Sequence, residues 1–169
     1  VIRIESQTRP DQVRTSGLTR DPDDPDGPEN SQQWHSINAN KESLQINLKA
    51  PEARQVVLDL AAQSDIAINA FSAGVLERIG LSSADLLKVN PRLIICSTTL
   101  FGQTGPLSSI PGFGNMGAAT GGYYELTGWA DRLPAGPFLA YTDATSPRLT
   151  AALLIAALDQ RERTGEGMV

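Results

Sequence analysis

Short strand-like segments alternate with helix-like segments through the first hundred residues, and no other feature of the sequence limits the fold as much. Residues 43–48 alternate polar and apolar side chains with a period of two, which predicts a half-buried strand, and residues 66–68 form a second short apolar run. Between them, Pro51 begins a segment whose apolar side chains share one helical face. Residues 92–97 are apolar enough to predict a strand buried on both faces. Strands that alternate with helices predict an α/β fold with a mostly parallel sheet.

The later part of the chain contains further helix patterns separated by loops. Residues 74–79 predict a short helix, and residues 82–89 predict another that opens on a capping-box-like spacing of Ser and Asp. A helix over residues 116–126 is interrupted by two adjacent glycines. Residues 149–158 are apolar on every side, which predicts a buried helix, and the polar residues that follow carry this helix outward.

The first forty residues contain few apolar side chains. Residues 1–4 predict a short strand, and residues 5–36 predict a long surface loop that includes His35. The stretch 21–28 is rich in Asp and Pro, and it is expected to form neither a helix nor a strand ladder, because Pro lacks the backbone donor and Asp favours turns. A loop of this length indicates either a function or mobility.

Composition and charge argue against several classes of function. The 169 residues carry 14 Lys and Arg against 19 Asp and Glu, a net charge of −5, which disfavours binding to a nucleic acid backbone. A single Cys and a single His do not supply a zinc site that needs several such ligands, so no metal site is expected. One Cys allows no internal disulfide, which fits a reducing, cytoplasmic setting. No apolar run approaches the roughly twenty residues of a membrane span, so we expect no membrane contact. A start without Met indicates a piece from the middle of a longer chain.

Asp143 is the strongest candidate for chemistry. It lies between a Pro- and Gly-rich stretch and the apolar helix, where helix-terminal N–H groups favour a carboxylate that acts as a nucleophile or a base. Spacing alone favours a plain helix-capping role for this residue. His35 and Cys96 have no predicted partner for a Ser-His-Asp or Cys-His arrangement.

Phosphate binding is indicated only weakly by the sequence. Residues 102–114 have the glycines of a ligand loop but match neither GxGxxG nor GxxxxGK[ST], so a purely structural loop remains an alternative. Four basic residues near predicted element ends either hold a phosphate or are merely solvated: Lys41, Arg54, Arg78 and Arg92.

Seven motifs occur in order along nearly the whole chain: VIRIE at 1–5, NANKESL at 38–44, IAINAFSAGVLERIGL at 66–81, NPRLI at 90–94, FGQTGP at 101–106, PGF at 111–113 and RERTGEG at 161–167. Together they resemble the family III CoA-transferases, the group that contains formyl-CoA transferase and the carnitine-dehydratase and bile-acid-inducible proteins. The resemblance implies a doubly wound, Rossmann-like large domain with a mostly parallel sheet that is incomplete in this fragment. Residues 1–169 would be part of that CoA-binding domain, without its N-terminal start or the C-terminal small domain, and the full-length protein would be an interlocked homodimer.

The resemblance also implies an enzyme that moves coenzyme A from an acyl-CoA donor to a carboxylic acid acceptor. The family's nucleophile falls on Asp143, which would form an aspartyl anhydride and then an aspartyl-CoA thioester, with no tightly bound cofactor. The chain has Ala70 where the family has Asn, and Gly114 where the family has Asp, and we expect these departures to alter substrate fit. The family's contacts to CoA fall on four residues of this chain: Lys41, Leu44, Phe71 and Arg78.

Two other functions remain open at this point. One branch of the same family racemises acyl-CoA with a His and Asp pair, but His35 lies far from the expected histidine position. A non-catalytic CoA-binding subunit is the other alternative, and the retained Asp143 argues against it. The fragment by itself is expected to be inactive and to fold poorly, because missing strands leave sheet edges uncovered.

Overall fold

The computed structural model describes residues 1–15, 21, 23, 27, 30–137 and 140–169. The chain divides into two units, residues 1–55 and residues 56–169. The described residues form four strands and seven α-helices: β1 (Ile2–Glu5), α1 (Gln32–Asn38), β2 (Glu42–Gln45), α2 (Pro51–Ala62), β3 (Ile66–Asn69), α3 (Val75–Arg78), α4 (Ser83–Val89), β4 (Ile94–Ser97), α5 (Gly114–Thr120), α6 (Tyr123–Leu126) and α7 (Tyr141–Thr164).

In the first unit, β1 and β2 pair in parallel, with Ile4 opposite Leu44. β2 ends at Gln45, so it is shorter than the strand predicted over residues 43–48. The pairing stops at this point because its partner β1 ends at Glu5, and the alternating pattern alone does not report the length of the neighbouring strand.

The loop predicted over residues 5–36 is wrong where it meets α1. His35 lies within this helix, and the hydroxyl of Ser31 caps it by accepting a hydrogen bond from the Trp34 N–H at 3.2 Å. Trp34 is buried beneath the guanidinium group of Arg14, whose central carbon lies 3.7 Å from a ring centroid. One aromatic ring anchors the helix, so no apolar repeat marks it in the sequence. Most of the stretch 21–28 lies outside the described residues.

In the second unit, β3 and β4 pair in parallel, with Asn69 opposite Ser97 at their carboxyl ends. Met168 forms a parallel bridge on the other edge of β4, where its carbonyl oxygen accepts from the Ile95 N–H at 2.8 Å. Ile94 and Ile95 point to opposite faces of the strand and are both buried, as predicted for β4. The predicted α/β class with parallel strands is confirmed.

Two of the predicted helix signals are confirmed in detail. Ser82 and Asp85 form a reciprocal capping box at the start of α4. The predicted break within residues 116–126 separates α5 from α6, and Gly122 has the positive φ of 79° that this break requires.

The prediction of a buried helix over residues 149–158 is wrong. α7 begins eight residues earlier, at Tyr141, and includes Pro147. Leu149 and Leu153 are 67% and 70% exposed, because in the described part of the chain little packs on this part of the helix. The polar residues at the end of the helix lie outward as predicted, with Asp159, Glu162 and Arg163 exposed. Arg161 among them is buried instead, and its Nη1 lies 3.1 Å from Asp65 Oδ1.

No helix in the described part of the chain has the length and apolar character needed to cross a membrane.

Candidate active site

The beginnings of α5 and α7 lie in direct contact. Gly114 is the first residue of α5, and a Cβ atom built on it would lie only 2.8 Å from the backbone nitrogen of Asp143 and 2.8 Å from the carbonyl carbon of Ala140. Real Cβ atoms do not approach backbone atoms this closely, so only glycine permits the contact. Glycine at position 114 therefore allows the backbone of α5 to lie against the first turn of α7.

Asp143 is the third residue of α7, and its carboxylate faces α5. Its Oδ2 atom accepts a hydrogen bond from the Gly114 N–H at 3.2 Å. The helix has no side-chain cap at Ala140, so the capping role that spacing favoured is not observed. The side chain is exposed to solvent, and the N-terminal end of the 24-residue α7 stabilises its negative charge. Asp143 is thus an accessible carboxylate held by one backbone donor.

A second hydrogen bond joins the same two turns. The hydroxyl group of Thr142 donates to the Gly114 carbonyl oxygen at 3.1 Å. A Cβ atom on Gly117, one turn further along α5, would lie 2.8 Å from this hydroxyl oxygen, so the hydroxyl packs directly against the helix. Beside this contact, the rings of Tyr123 and Tyr141 pack with their centroids 5.1 Å apart.

A cavity of about 290 Å³ opens at the carboxyl ends of β3 and β4. Its lining includes Phe71, Leu76, Glu77, Gln103 and Val169 as well as the two terminal strand residues, Asn69 and Ser97. Phe71 is 40% exposed. In parallel α/β sheets this edge of the strands is the usual place for a ligand.

Two hydrogen bonds fix the backbone of Phe71 at the wall of this cavity. The Phe71 N–H donates to Asn69 Oδ1 at 3.2 Å, and the Gln103 side-chain amide donates to the Phe71 carbonyl oxygen at 3.1 Å. The backbone of Phe71 is therefore fixed on both sides, and its ring forms part of the apolar wall.

The other predicted CoA contacts are not among the residues that line this cavity. Arg78 is the last residue of α3 and is exposed. In the first unit, Lys41 donates from Nζ to the Ile37 carbonyl oxygen at 2.8 Å and to Asn38 Oδ1 at 3.0 Å. Leu44 is half-buried in β2. The structure thus brings Asp143 together with two residues that the sequence did not single out as its partners, Gly114 and Thr142.

Those partners left a weak signal in the sequence. Gly114 and Gly117 are spaced by three residues, so they share one helical face, and such a pair of glycines marks a place where another backbone approaches closely.

The polar pair at the cavity also has a signal in the sequence. Asn69 and Ser97 end two strands that were predicted to be parallel, and the register of such a pair places these two residues opposite each other.

Cys96 and His35, the single cysteine and the single histidine of the chain, belong to different units. Cys96 is half-buried in β4, and burial raises the pKa of its thiol, which disfavours the reactive thiolate. His35 belongs to α1 in the first unit. Among the described residues, no group of three or more His, Cys, Asp or Glu side chains is arranged to hold a metal ion.

Comparison with known proteins identifies the class of protein. Residues 1–169 match CoA-transferase family III. The chain therefore belongs to this family.

Individual relatives agree with this assignment. The chain is 37% identical over 133 residues to the succinyl-CoA:glutarate CoA-transferase of Mus musculus, an alignment that covers 79% of this chain and 30% of that protein. It is 34% identical to the acetyl-CoA:oxalate CoA-transferase of Acetobacter aceti, with 98% of this chain and 41% of that protein covered. The crystal structure of a CAIB/BAIF family protein from Brucella suis superposes with a TM-score of 0.87 at 32% identity, over 99% of this chain and 44% of that one. The chain thus spans less than half the length of these relatives.

Proposed function

We propose that the complete protein is a CoA-transferase in which Asp143 is the nucleophile. The observation that carries this proposal is the exposed Asp143 carboxylate, held by the Gly114 N–H at the junction of α5 and α7, in a chain of this family. A carboxylate can attack a thioester without a histidine or a metal ion, so the chemistry needs no other nucleophile.

The first half of the reaction removes CoA from the donor. An oxygen of Asp143 attacks the acyl carbonyl carbon, the carbon–sulfur bond breaks, and CoA leaves as a thiolate while an aspartyl mixed anhydride remains. The thiolate then attacks the aspartyl carbonyl carbon of this anhydride and expels the donor acid as a carboxylate. The product is an aspartyl-CoA thioester on Asp143.

The second half repeats these steps in reverse order. The acceptor carboxylate attacks the aspartyl thioester, releases the CoA thiolate and forms a new anhydride. The thiolate attacks the acceptor's acyl carbon, which produces the new acyl-CoA and regenerates the Asp143 carboxylate. Bonds and charges balance over the cycle, so no oxidant, reductant or tightly bound cofactor is required.

Gly114 has a specific task in this scheme. When the thiolate attacks the aspartyl carbon, negative charge develops on an oxygen of Asp143, and the Gly114 N–H already points at Oδ2. A backbone donor aimed at a developing oxyanion is worth about 3 kcal/mol of transition-state stabilisation. The same hydrogen bond therefore serves the resting carboxylate and the tetrahedral intermediate.

CoA binding is assigned to the four residues predicted for it. We assign the ring of Phe71, at the wall of the cavity beside β3 and β4, to the nucleotide portion of CoA, and Leu44 in the first unit to apolar packing against CoA. Lys41 and Arg78 are exposed cations that suit the phosphates of CoA. We further propose that residues 1–169 belong to a large CoA-binding domain of a cytoplasmic, interlocked homodimer.

The experiment that tests the proposal is trapping of the covalent intermediate on the complete protein. Incubation with succinyl-CoA or acetyl-CoA, the donors named for the relatives, should give an adduct that mass spectrometry locates on the Asp143 peptide and that hydroxylamine removes. Asp143→Asn should give no adduct. Asp159→Asn is the matched control, because Asp159 is an exposed carboxylate on the same helix and forms a surface ion pair with Arg163.

The outcomes separate the alternatives. An adduct in wild type and in Asp159→Asn, but not in Asp143→Asn, supports the transferase. Inversion of a chiral acyl-CoA without any adduct would favour the racemase, and binding of CoA without turnover would favour a non-catalytic subunit.

A further inference from the structure

The first turn of α7 is anchored to a single residue of the neighbouring helix. Gly114 donates its N–H to Asp143 and accepts a hydrogen bond at its carbonyl oxygen from Thr142, at 3.2 Å and 3.1 Å. Two hydrogen bonds to opposite ends of one peptide residue fix both the position and the rotation of the turn. The two side chains differ in exposure, since Thr142 is half-buried against α5 whereas Asp143 is exposed.

A second observation concerns the other side of this turn. Pro147 lies inside α7, four residues after Asp143. In an α-helix the N–H of residue 147 would donate to the carbonyl oxygen of residue 143, and proline has no N–H. The ladder hydrogen bond that would hold the backbone of Asp143 to the remainder of the helix is therefore missing.

Thr145, which lies between Asp143 and Pro147, forms a further hydrogen bond within this part of the helix. The hydroxyl group of Thr145 donates back to the Tyr141 carbonyl oxygen at 3.2 Å, a side-chain bond that competes with regular helix geometry and bends helices. The carbonyl oxygen of Asp143 thus lacks its ladder donor within α7, whereas two side chains of the same turn form hydrogen bonds to α5.

We propose that Thr142 is a positioning residue for Asp143: its hydroxyl anchors the first turn of α7 to α5, and Pro147 releases that turn from the helix so that the anchor decides where the carboxylate lies. This inference rests on the proposed role of Asp143 as the nucleophile. Thr142 acts through the backbone and touches neither the thioester nor the acceptor.

The proposal predicts a specific kinetic pattern. A displaced nucleophile slows the attack on the thioester but leaves CoA binding unchanged, so kcat falls while KM for the acyl-CoA stays constant. Displacements of about 1 Å are enough to reduce the rate up to about 100-fold. A merely structural residue would instead lower the amount of folded protein and leave the kcat of the folded fraction unchanged.

The test uses the complete protein with succinyl-CoA and measures the single-turnover rate of adduct formation, kcat, KM and the unfolding temperature. Thr142→Val keeps the shape and removes the hydroxyl, and we expect the adduct rate to fall about 10-fold or more. Thr142→Ser keeps the hydroxyl and should restore most of the rate. Thr120→Val is the matched control, because the Thr120 hydroxyl bonds only a carbonyl of its own helix, that of Met116, at 2.8 Å.

Pro147→Ala provides an independent measurement. It restores an N–H that can donate to the Asp143 carbonyl oxygen, so the unfolding temperature should stay constant or rise while the adduct rate falls about 10-fold. If Thr142→Val fails to fold, this variant decides the question.

The measured adduct rates distinguish a failure of the proposed function from a failure of the positioning role of Thr142. No adduct in wild type overturns the proposed function and this inference with it. An adduct that wild type, Thr142→Val and Pro147→Ala form at the same rate overturns this inference alone. A rate loss in Thr142→Val that Thr142→Ser does not rescue also contradicts it.

Discussion

Asn69 and Ser97 are register partners at the carboxyl ends of β3 and β4, and the Asn69 side-chain amide donates to the Ser97 hydroxyl oxygen at 3.0 Å. The other side-chain atom of Asn69, Oδ1, accepts from the Phe71 N–H. One asparagine therefore ties the two strand ends together and orients the residue that forms the cavity wall. The two strand ends give the cavity a polar frame, and Phe71 contributes to its apolar surface together with Leu76 and Val169.

The ring of Phe71 should contribute to CoA binding and little to the chemical step. In the complete protein, Phe71→Ala is expected to raise KM for the acyl-CoA by about 10-fold, the loss of roughly one aromatic contact, with kcat almost unchanged. Steady-state kinetics at varied succinyl-CoA concentration measures both constants. Trp129→Ala, which removes an exposed aromatic ring outside the cavity lining, should leave both constants unchanged. Equal KM values for wild type and Phe71→Ala would contradict the assignment.

A side chain at position 114 should separate α5 from α7. Gly114→Ala places a Cβ atom 2.8 Å from the backbone of Asp143, so we expect a loss of about 1–3 kcal/mol in the free energy of unfolding and a fall in kcat of about 10-fold or more. Denaturant unfolding and turnover measure the two effects. Gly121→Ala in the same region meets its nearest neighbour, the Gly117 carbonyl oxygen, only at 3.3 Å and should be much milder. Similar losses in both variants would show that the close contact is unimportant.

The methylene carbons and the guanidinium charge of Arg161 should both stabilise the second unit. Its side chain is buried, with Nη1 at 3.1 Å from Asp65 Oδ1, whereas the Asp65 side chain is 79% exposed. Arg161→Met keeps the apolar stem and should lower the free energy of unfolding by about 2 kcal/mol. Asp65→Asn should lower it by less than about 1 kcal/mol, because solvent screens an exposed carboxylate.

The control for the pair of Arg161 and Asp65 is a surface ion pair on the same helix. Arg163 pairs with Asp159 on the surface of α7, and Arg163→Met should change the free energy of unfolding by about 0.5 kcal/mol at most. Urea unfolding of the complete protein gives all three values. A larger loss for Asp65→Asn than for Arg161→Met would reverse the proposed order.

The thiol of Cys96 should react slowly in the folded protein. Burial raises its pKa, so at pH 8 a smaller fraction is thiolate than in the unfolded chain, and alkylation by iodoacetamide is correspondingly slower. The pH at which the rate is half-maximal should lie higher for the folded protein than for the same protein in urea. Peptide mass spectrometry that follows Cys96 alone provides the rates. Coincident pH profiles would contradict the effect of burial.

The parallel strands and the capping box of α4 could be predicted from local patterns. The β4 segment is apolar on both faces, and Ser82 with Asp85 has the spacing of a capping box, so each of these signals lies within a few residues of the structure that it predicts. α1 was missed because a single ring, Trp34, anchors it through Arg14, a residue distant in sequence. The start of α7 was placed too late because Pro147 normally ends a helix pattern rather than lying inside one.

The candidate site, like the fold, could be predicted only in part from the sequence. Asp143 could be selected from the sequence and from the resemblance of seven ordered motifs, because both depend on residue type and order. Its partners could not, since the hydrogen bond from Gly114 to Asp143 joins residues 29 positions apart and the bond from Thr142 to Gly114 joins residues 28 positions apart.

The alternation of strands with helices, the acidic charge and the resemblance to the family follow from the sequence alone, because hydrophobic period, turn chemistry and motif order are local properties of the chain. Which donor holds the Asp143 carboxylate, which face of α7 is buried and which guanidinium covers Trp34 depend on the packing of distant segments. Contacts of that kind form only when the backbones approach within hydrogen-bond distance, and the tertiary structure alone decides where that happens.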